Sequence, residues 1–352
     1  VISLREETKK CFKCGMCRSV CPVLQAELTE DSSPRGKVAL CEALSEERII
    51  ASARLLSLLE KCTGCRSCSQ NCTSGTDPRS MTLLARSDSD LSEDWSHARG
   101  PVADTLLRLA GARSKELAHL TPAGTSGSRV AYFIGCVEAE RFEEAVSNVI
   151  RIFDALGIEI AVPAKQVCCG WPQLMKADIE GAKELARENS EVFEGFDTIL
   201  TTCPHCRSVL VDDYHSLIGV SAFRGRTRDA LRFLLEKGLA KRLALASAAS
   251  GVSYSQPCRM GRGKARDALY ADFLRGMLGA AAVLGESDEC CGAPLQLTSP
   301  ALAERMLARK MGEIDDSSIS MILSNCPFCL LGMEPVSRVA VRHLFEEITL
   351  RP

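Results

Sequence analysis

Ten cysteines in this chain fall into two copies of one spaced pattern. In the first copy Cys136 is followed after 31 intervening residues by Cys168-Cys169-Gly170, and after 33 more by Cys203-Pro204-His205-Cys206. In the second, Cys258, Cys290-Cys291-Gly292 and Cys326-Pro327-Phe328-Cys329 are separated by 31 and 34 residues. Self-similarity over such lengths is the mark of a duplicated domain. It also demands a fold that brings five distant positions to one place.

The residues around the cysteines name that fold. Val130-Ala131-Tyr132-Phe133-Ile134 is a short apolar run ending at Gly135-Cys136. Thr198-Ile199-Leu200 leads into Cys203, and Met321-Ile322-Leu323 leads into Cys326. Helical apolar spacing lies between, as in Phe142 to Leu156 and Ile179 to Phe193. Strands alternating with helices predict a small parallel sheet in each copy. Ligands gather beyond the carboxyl ends of such strands. Each C-P-x-C then stands at that edge and opens a helix, whose positive end favours thiolate. Five thiolates, two of them adjacent, exceed what a zinc ion or a plain iron–sulfur cube uses. They suit a larger or fused cluster with open or bridging positions.

Eight more of the 19 cysteines form tandem runs near the N-terminus. Cys11, Cys14, Cys17 and Cys21-Pro22 read C-x2-C-x2-C-x3-C-P, and Cys62, Cys65, Cys68 and Cys72 repeat the spacing with Thr73 in place of proline. Three such cysteines wrap one corner of a [4Fe–4S] cube, and the fourth starts a helix that carries it to the other cube. The expected sets are therefore Cys11, Cys14, Cys17 and Cys72, and Cys62, Cys65, Cys68 and Cys21. Gly15 and Gly64 sit inside the loops, where backbone approaches sulfide. Helical spacing over Lys37 to Leu44 and Ile49 to Leu59 favours a helical ferredoxin domain over the small β-rich kind. Cys41, within the first of these helices, reads as a buried structural thiol.

Composition removes other classes. Net charge is −2 with both signs interspersed, so no nucleic-acid stripe or polybasic membrane patch is visible. Disulfide scaffolds are short, whereas 352 residues that are 46% hydrophobic build a core without staples. No apolar run is long enough to span a bilayer, and the first ten residues lack a signal-peptide core. These features place the chain in the cytoplasm, or at a membrane through a partner. No Gly-x-Gly-x-x-Gly follows a strand, so flavin or nucleotide chemistry must come from a partner. Gly261-Arg262-Gly263-Lys264 lacks the Walker spacing and reads as a solvated basic turn. The five histidines, His97, His119, His205, His215 and His343, form no ligand motif. His205 alone lies between two ligand candidates, with a supporting or structural role ahead of proton transfer.

The complete pattern resembles the CCG domain of heterodisulfide reductases. The resemblance implies that Cys136, Cys168, Cys169, Cys203 and Cys206 hold one noncubane [4Fe–4S] cluster, with Gly170 and His205 beside it. Cys258, Cys290, Cys291, Cys326 and Cys329, with Gly292, would hold a second. In that family the two clusters face each other and a disulfide is split between them. Tandem ferredoxin motifs before two CCG domains are also the order of the heterodisulfide reductase D subunit and of the iron–sulfur subunit of glycolate oxidase. Ser33-Pro34-Arg35-Gly36-Lys37 looks like the second group, and the completeness of both five-cysteine sets looks like the first. The expected architecture is an α-helical ferredoxin domain (1–85), a linker (86–128) and two duplicated α/β CCG domains with small parallel sheets (129–245 and 246–352).

The function expected from this is electron transfer within an oxidoreductase complex, through two cubane and two noncubane [4Fe–4S] clusters. The partner is a flavoprotein or another iron–sulfur or membrane subunit. One alternative makes the facing clusters a disulfide reductase site, with the ten ligands as catalytic candidates. In that case the two clusters share a solvent-open cavity walled by Trp171. The other alternative is the iron–sulfur subunit of an FAD-linked glycolate or lactate dehydrogenase.

Overall fold

The computed structural model describes residues 3–88, 98–109, 129–246, 251–260, 268–278, 283–284, 289–314 and 318–351. The Gly261–Lys264 turn, His97, His119 and most of the expected linker lie outside them. No helix among the described residues is long and apolar enough to cross a membrane.

Residues 3–88 are built from helices. Ser33 caps Pro34–Ser45 by accepting from Gly36 N at 2.9 Å, with Pro34 at the first helical position, where its missing N–H costs nothing. Ser52 caps Ala53–Leu59 and Asp77 caps Pro78–Ser87 in the same way. These helices bury Val38, Cys41, Leu55, Leu59, Met81 and Ala85 together. Two expectations are corrected here. The helix expected from Ile49 begins only at Ala53, because Ser52 provides the cap and Glu47 turns the chain with φ 57°. Cys21 does open a helix, Pro22–Glu27, but Cys72 opens none. Thr73 lacks the fixed φ of proline, and a turn through Gly75 follows instead.

The rest of the chain holds two parallel sheets of one design. In the first, β1 (Val130–Tyr132), β2 (Thr198–Thr201) and β3 (Thr227–Asp229) lie in the order β1-β2-β3, and a bridge from Ala131 to Ala161 extends the β1 edge. Next along the chain are β4 (Leu243–Leu245), β5 (Val252–Tyr254), β6 (Val283–Leu284), β7 (Met321–Ser324), β8 (Ala340–His343) and β9 (Ile348–Leu350). The second sheet runs β6-β5-β7-β8, so β5, β7 and β8 repeat the places of β1, β2 and β3. Strand β4, at the end of the first copy, pairs antiparallel with β9 at the end of the second.

Amphipathic helices cover the sheets. Glu143–Ala155 buries Val146, Val149 and Phe153, and Ile179–Val192 buries Ala182 and Ala186. One apolar cluster joins Phe133, Trp171 and Phe193 of the first copy to Ile322, Cys326 and Phe328 of the second. The two copies therefore share a core. Helix Pro101–Leu109, within the expected linker, packs on it through Val102 and Leu106, and Val102 N donates to Gln296 Oε1 at 2.9 Å.

Candidate iron–sulfur centres

Each C-P-x-C motif stands where the sequence places it. Cys203 and Cys326 follow the parallel strands β2 and β7 and occupy the position just before helices Pro204–Ser208 and Pro327–Met333, with proline first in each helix. A hydrogen bond that sequence reading missed ties each motif to the strand beside the one it follows, β1 in the first copy and β5 in the second. Tyr132 Oη pairs with Thr202 Oγ1 at 2.8 Å, and Tyr254 Oη donates to Asn325 Oδ1 at 2.8 Å. Both tyrosines lie four residues before a ligand cysteine and both partners lie just before a C-P-x-C. Superposing the two repeats in sequence reveals this match.

The paired cysteines end in glycine for a backbone reason. Gly170 has φ 87° and Gly292 φ 66°, the left-handed region that glycine enters without strain. That turn aims Cys168-Cys169 and Cys290-Cys291 at the strand ends. Cys136 Sγ stands 3.8 Å from Cys168 Sγ, and Cys291 Sγ 3.2 Å from Cys329 Sγ. Hydrogen bonds from Cys136 and Cys169, helped by the Gly170 amide, hold the Cys168 thiol well below its usual value. The bond with Cys168 pushes Cys136 up, burial adding to it, while Cys169 and Cys203 do the same to Cys206. In the second set Cys290 and Cys329 raise Cys291, and Cys326 lies near both Cys291 and Cys258. Sulfurs this close together, most of them buried, cannot all ionise unaided. Cationic iron would supply the missing charge, so both donor sets fit an iron–sulfur cluster.

The N-terminal runs converge in crossed sets. Burial raises the Cys17 thiol, with Cys11, Cys72 and Cys14 adding to it. Burial raises Cys68 well above its usual value, with Cys65, Cys62 and Cys21 among the contributors, and lifts Cys21 to about 11. A cavity lined by Cys21, Cys62, Cys65 and Cys68, together with Lys37 and Arg79, lies between them and fits a cube. Burial works against the Cys72 thiolate. Hydrogen bonds from Ser74 and Thr76 outweigh it and hold that thiol below its usual value, doing what the absent helix would have done. The Ser-Pro-Arg-Gly-Lys motif serves both loops. Arg35 donates to Lys13 O at 3.4 Å beside the first, and buried Lys37 donates to Lys61 O beside the second. Cys41 is wholly buried, its thiol pushed to about 12 by burial, and Sγ donates to Met81 O at 3.7 Å.

The x residues of the two C-P-x-C motifs meet. His205 and Phe328 lie edge to face with ring centroids 4.3 Å apart, and Trp171 closes on both at 5.0 and 4.8 Å. All three rings are buried. They fill the space between the five-cysteine sets that sequence reading left as an open gap. Burial, followed by the charges of Arg259 and Arg79, holds His205 well below its usual value, which makes it a neutral imidazole. Its Nδ1 has no hydrogen-bond partner among the described residues. Glu138, two residues after Cys136, accepts from Gly135 N at 3.1 Å and Thr202 Oγ1 at 2.8 Å, with His343 Nε2 of the second copy 3.5 Å away.

A buried ion network fastens the N-terminal segment to this assembly. Asp213, on the π-helix Val209–Ile218, receives Arg66 Nη1 at 2.7 Å and Arg79 Nη1 on the same oxygen, Oδ1. Arg66 also reaches Asp77 at 2.7 Å.

Comparison with known proteins matches two kinds of domain. A 4Fe-4S dicluster domain model matches residues 7–76, and a cysteine-rich domain model, CCG, matches 130–211 and 252–334. The chain is 26% identical over 349 residues to a subunit of the fumarate reductase (CoM/CoB) of Methanothermobacter marburgensis, covering 94% of this chain and 68% of that one. It is 22% identical over 395 residues to a probable glycolate oxidase iron–sulfur subunit of Bacillus subtilis, covering 93% and 88%. Lactate utilization protein A 1 of Bacillus mycoides matches at 23% over 218 residues, covering 58% and 88%.

Proposed function

The chain belongs to the iron–sulfur proteins that join a 4Fe-4S dicluster domain to two cysteine-rich CCG domains, and on that premise we propose that it is a heterodisulfide-reductase-like electron-transfer subunit of an oxidoreductase complex. The observation that carries the proposal is that cysteines of separate motifs come together: Cys21 lines one cavity with Cys62, Cys65 and Cys68, Cys136 stands against Cys168, and Cys291 against Cys329. Two sets would hold cubane and two noncubane [4Fe–4S] clusters, which supply one-electron storage and transfer when bound. The protein's own part is to hold sulfur ligands, exclude water and fix the order of the sites. Cys14 is exposed and Phe12 and Met16 stand out beside it, so the Cys11 set is where a partner redox subunit gives or takes electrons. From there electrons would pass to the Cys62 set and the five-cysteine sets.

Anaerobically purified protein is expected to carry about sixteen irons and as many acid-labile sulfides per chain, four for each four-iron site. About eight irons, with the CCG sites empty, would reduce the reading to a two-cluster ferredoxin. Stoichiometric zinc would remove it.

A second reading, disulfide reduction, would use the approach of the two C-P-x-C motifs at His205 and Phe328; with the three rings filling that space, a disulfide would bind at the outer side of the sites and not between them. Cleaving a disulfide consumes two electrons and two protons, and each site would deliver one electron. Solvent reaches the half-buried Cys136, Cys168 and Cys258, so a small disulfide would approach from their side. Half-reduced protein is then expected to change its electron paramagnetic resonance when such a disulfide is added. Spectra indifferent to every disulfide, in protein that still passes electrons, would leave the relay alone. The names of two relatives favour a third assignment, pairing the relay with an FAD-linked glycolate or lactate dehydrogenase.

A further inference from the structure

Among the described residues, Arg259 is a buried charge left without a counterion of its own. It follows Cys258 and is only 5% exposed, yet Nε, Nη1 and Nη2 all lack a hydrogen-bond partner there. A buried unpaired guanidinium is strongly unfavourable, so an anion is expected against it. The neighbouring carboxylates are committed: Arg66 takes Asp77 and shares Asp213 Oδ1 with Arg79. Asp213 Oδ2 has no hydrogen-bond partner either, and the single Asp213 charge that reaches Arg259 is already shared by those two cations. Arg66 is thus served by Asp77, Asp212 and Asp213 and Arg79 by Asp213, while Arg259 has no ion pair of its own among the described residues.

Its position says what the anion is. A Cβ added to Gly64, inside the Cys62–Cys68 loop, would stand 3.0 Å from Arg259 Nη2 and 3.2 Å from Arg79 Nε. At its other end Arg259 is joined to Cys258, and its turn, Cys258–Met260, packs on helix Pro204–Ser208. The guanidinium therefore lies against the second ferredoxin-type loop, on the residue after Cys258 of the second five-cysteine set and beside the C-P-x-C helix of the first.

We propose that Arg259 is a positioning residue that couples the Cys62 and Cys258 centres, a fixed positive charge shared by two anionic clusters that favours an electron on either. This rests on the reading that both sites carry clusters. A positive charge held in a low-dielectric site raises the reduction potential of a neighbouring cluster, and charge and hydrogen bonding at the sulfurs are established levers on that potential.

The test is potentiometric titration of the anaerobic holoprotein followed by electron paramagnetic resonance, with iron counted in every sample. In Arg259→Gln with full iron, the reduced-to-oxidised ratio at fixed potential is expected to fall about tenfold at the Cys62 and Cys258 centres, equal to about 59 mV for one electron. The Cys11 centre should not move, and Arg259→Lys should restore the wild-type values. Unchanged potentials in fully loaded Arg259→Gln, or an equal shift at all four centres, would overturn the proposal. If Arg259→Gln loses iron, Arg259→Lys decides: full iron at wild-type potentials supports the role of charge, and loss of iron there too assigns the residue to shape alone. Wild-type protein short of iron would instead strike at the four-cluster reading.

Discussion

Replacing Asp213 by alanine is expected to lower the stability of the folded chain by about 3–5 kcal/mol, the cost of stranding buried charges whose partner is removed. Asp213 is wholly buried and its Oδ1 receives both Arg66 and Arg79. Arg66 would keep Asp77, but Arg79, itself 2% exposed, would keep no acceptor for its guanidinium among the described residues. Arg66 would also keep Asp212 at 3.8 Å, so the stranded charge is that of Arg79. Asp213→Asn keeps the shape and removes the charge, so it should cost most of the same amount. Denaturant unfolding of the anaerobic protein, followed by circular dichroism, measures both. An unchanged midpoint in Asp213→Ala would mean that the network is ornamental and that apolar contacts alone dock the N-terminal segment. A large loss in Asp213→Ala with none in Asp213→Asn would mean that packing, and not charge, matters at this position.

None of that network was legible in the sequence. Asp213 lies 147 and 134 positions from its two arginines, and a contact at such separation leaves no local pattern. The π-helix that turns Asp213 and Tyr214 inward was equally silent, because helical periodicity does not distinguish one inserted residue. What could be read was whatever repeats or punctuates the chain. The strands before Cys136, Cys203 and Cys326 showed as short apolar runs, and proline after the cysteine marked each helix start. Thr73 was visible as a departure, but its consequence was not. Only the structure shows Ser74 and Thr76 hydroxyls standing where a helix would begin. The Ser33–Lys37 motif was visible as a family mark, while its work became clear only once Arg35 and Lys37 were seen to reach different cysteine loops. The ring contact between His205 and Phe328 belongs to a middle case. Duplication implied that the motifs correspond, but not that they touch.

The crossing of the N-terminal ligand sets gives the sharpest remaining expectation, because neighbours in sequence and neighbours in space disagree. Along the chain Cys21 is the neighbour of Cys11, Cys14 and Cys17, and Cys72 that of Cys62, Cys65 and Cys68. In the fold Cys21 lines the cavity of Cys62, Cys65 and Cys68, and Cys72 acts on Cys17. Serine at one position leaves a cube short of a thiolate and should cost about four irons, together with one cubane signal. Cys11→Ser and Cys72→Ser should therefore abolish the same signal, and Cys62→Ser and Cys21→Ser the other. Double substitutions separate the two assignments more strongly than single ones. Cys11→Ser with Cys72→Ser strikes one cube twice and should still lose only about four irons, whereas Cys11→Ser with Cys21→Ser strikes both and should lose about eight. Signals of the five-cysteine sites should persist in every one of these variants, since no ligand is shared. The reverse result, about eight irons lost from the first pair and four from the second, would mean that each loop closes on its own cysteines. The electron path would then run between two independent loops, and the cavity around Cys21 would have to hold something other than a cube.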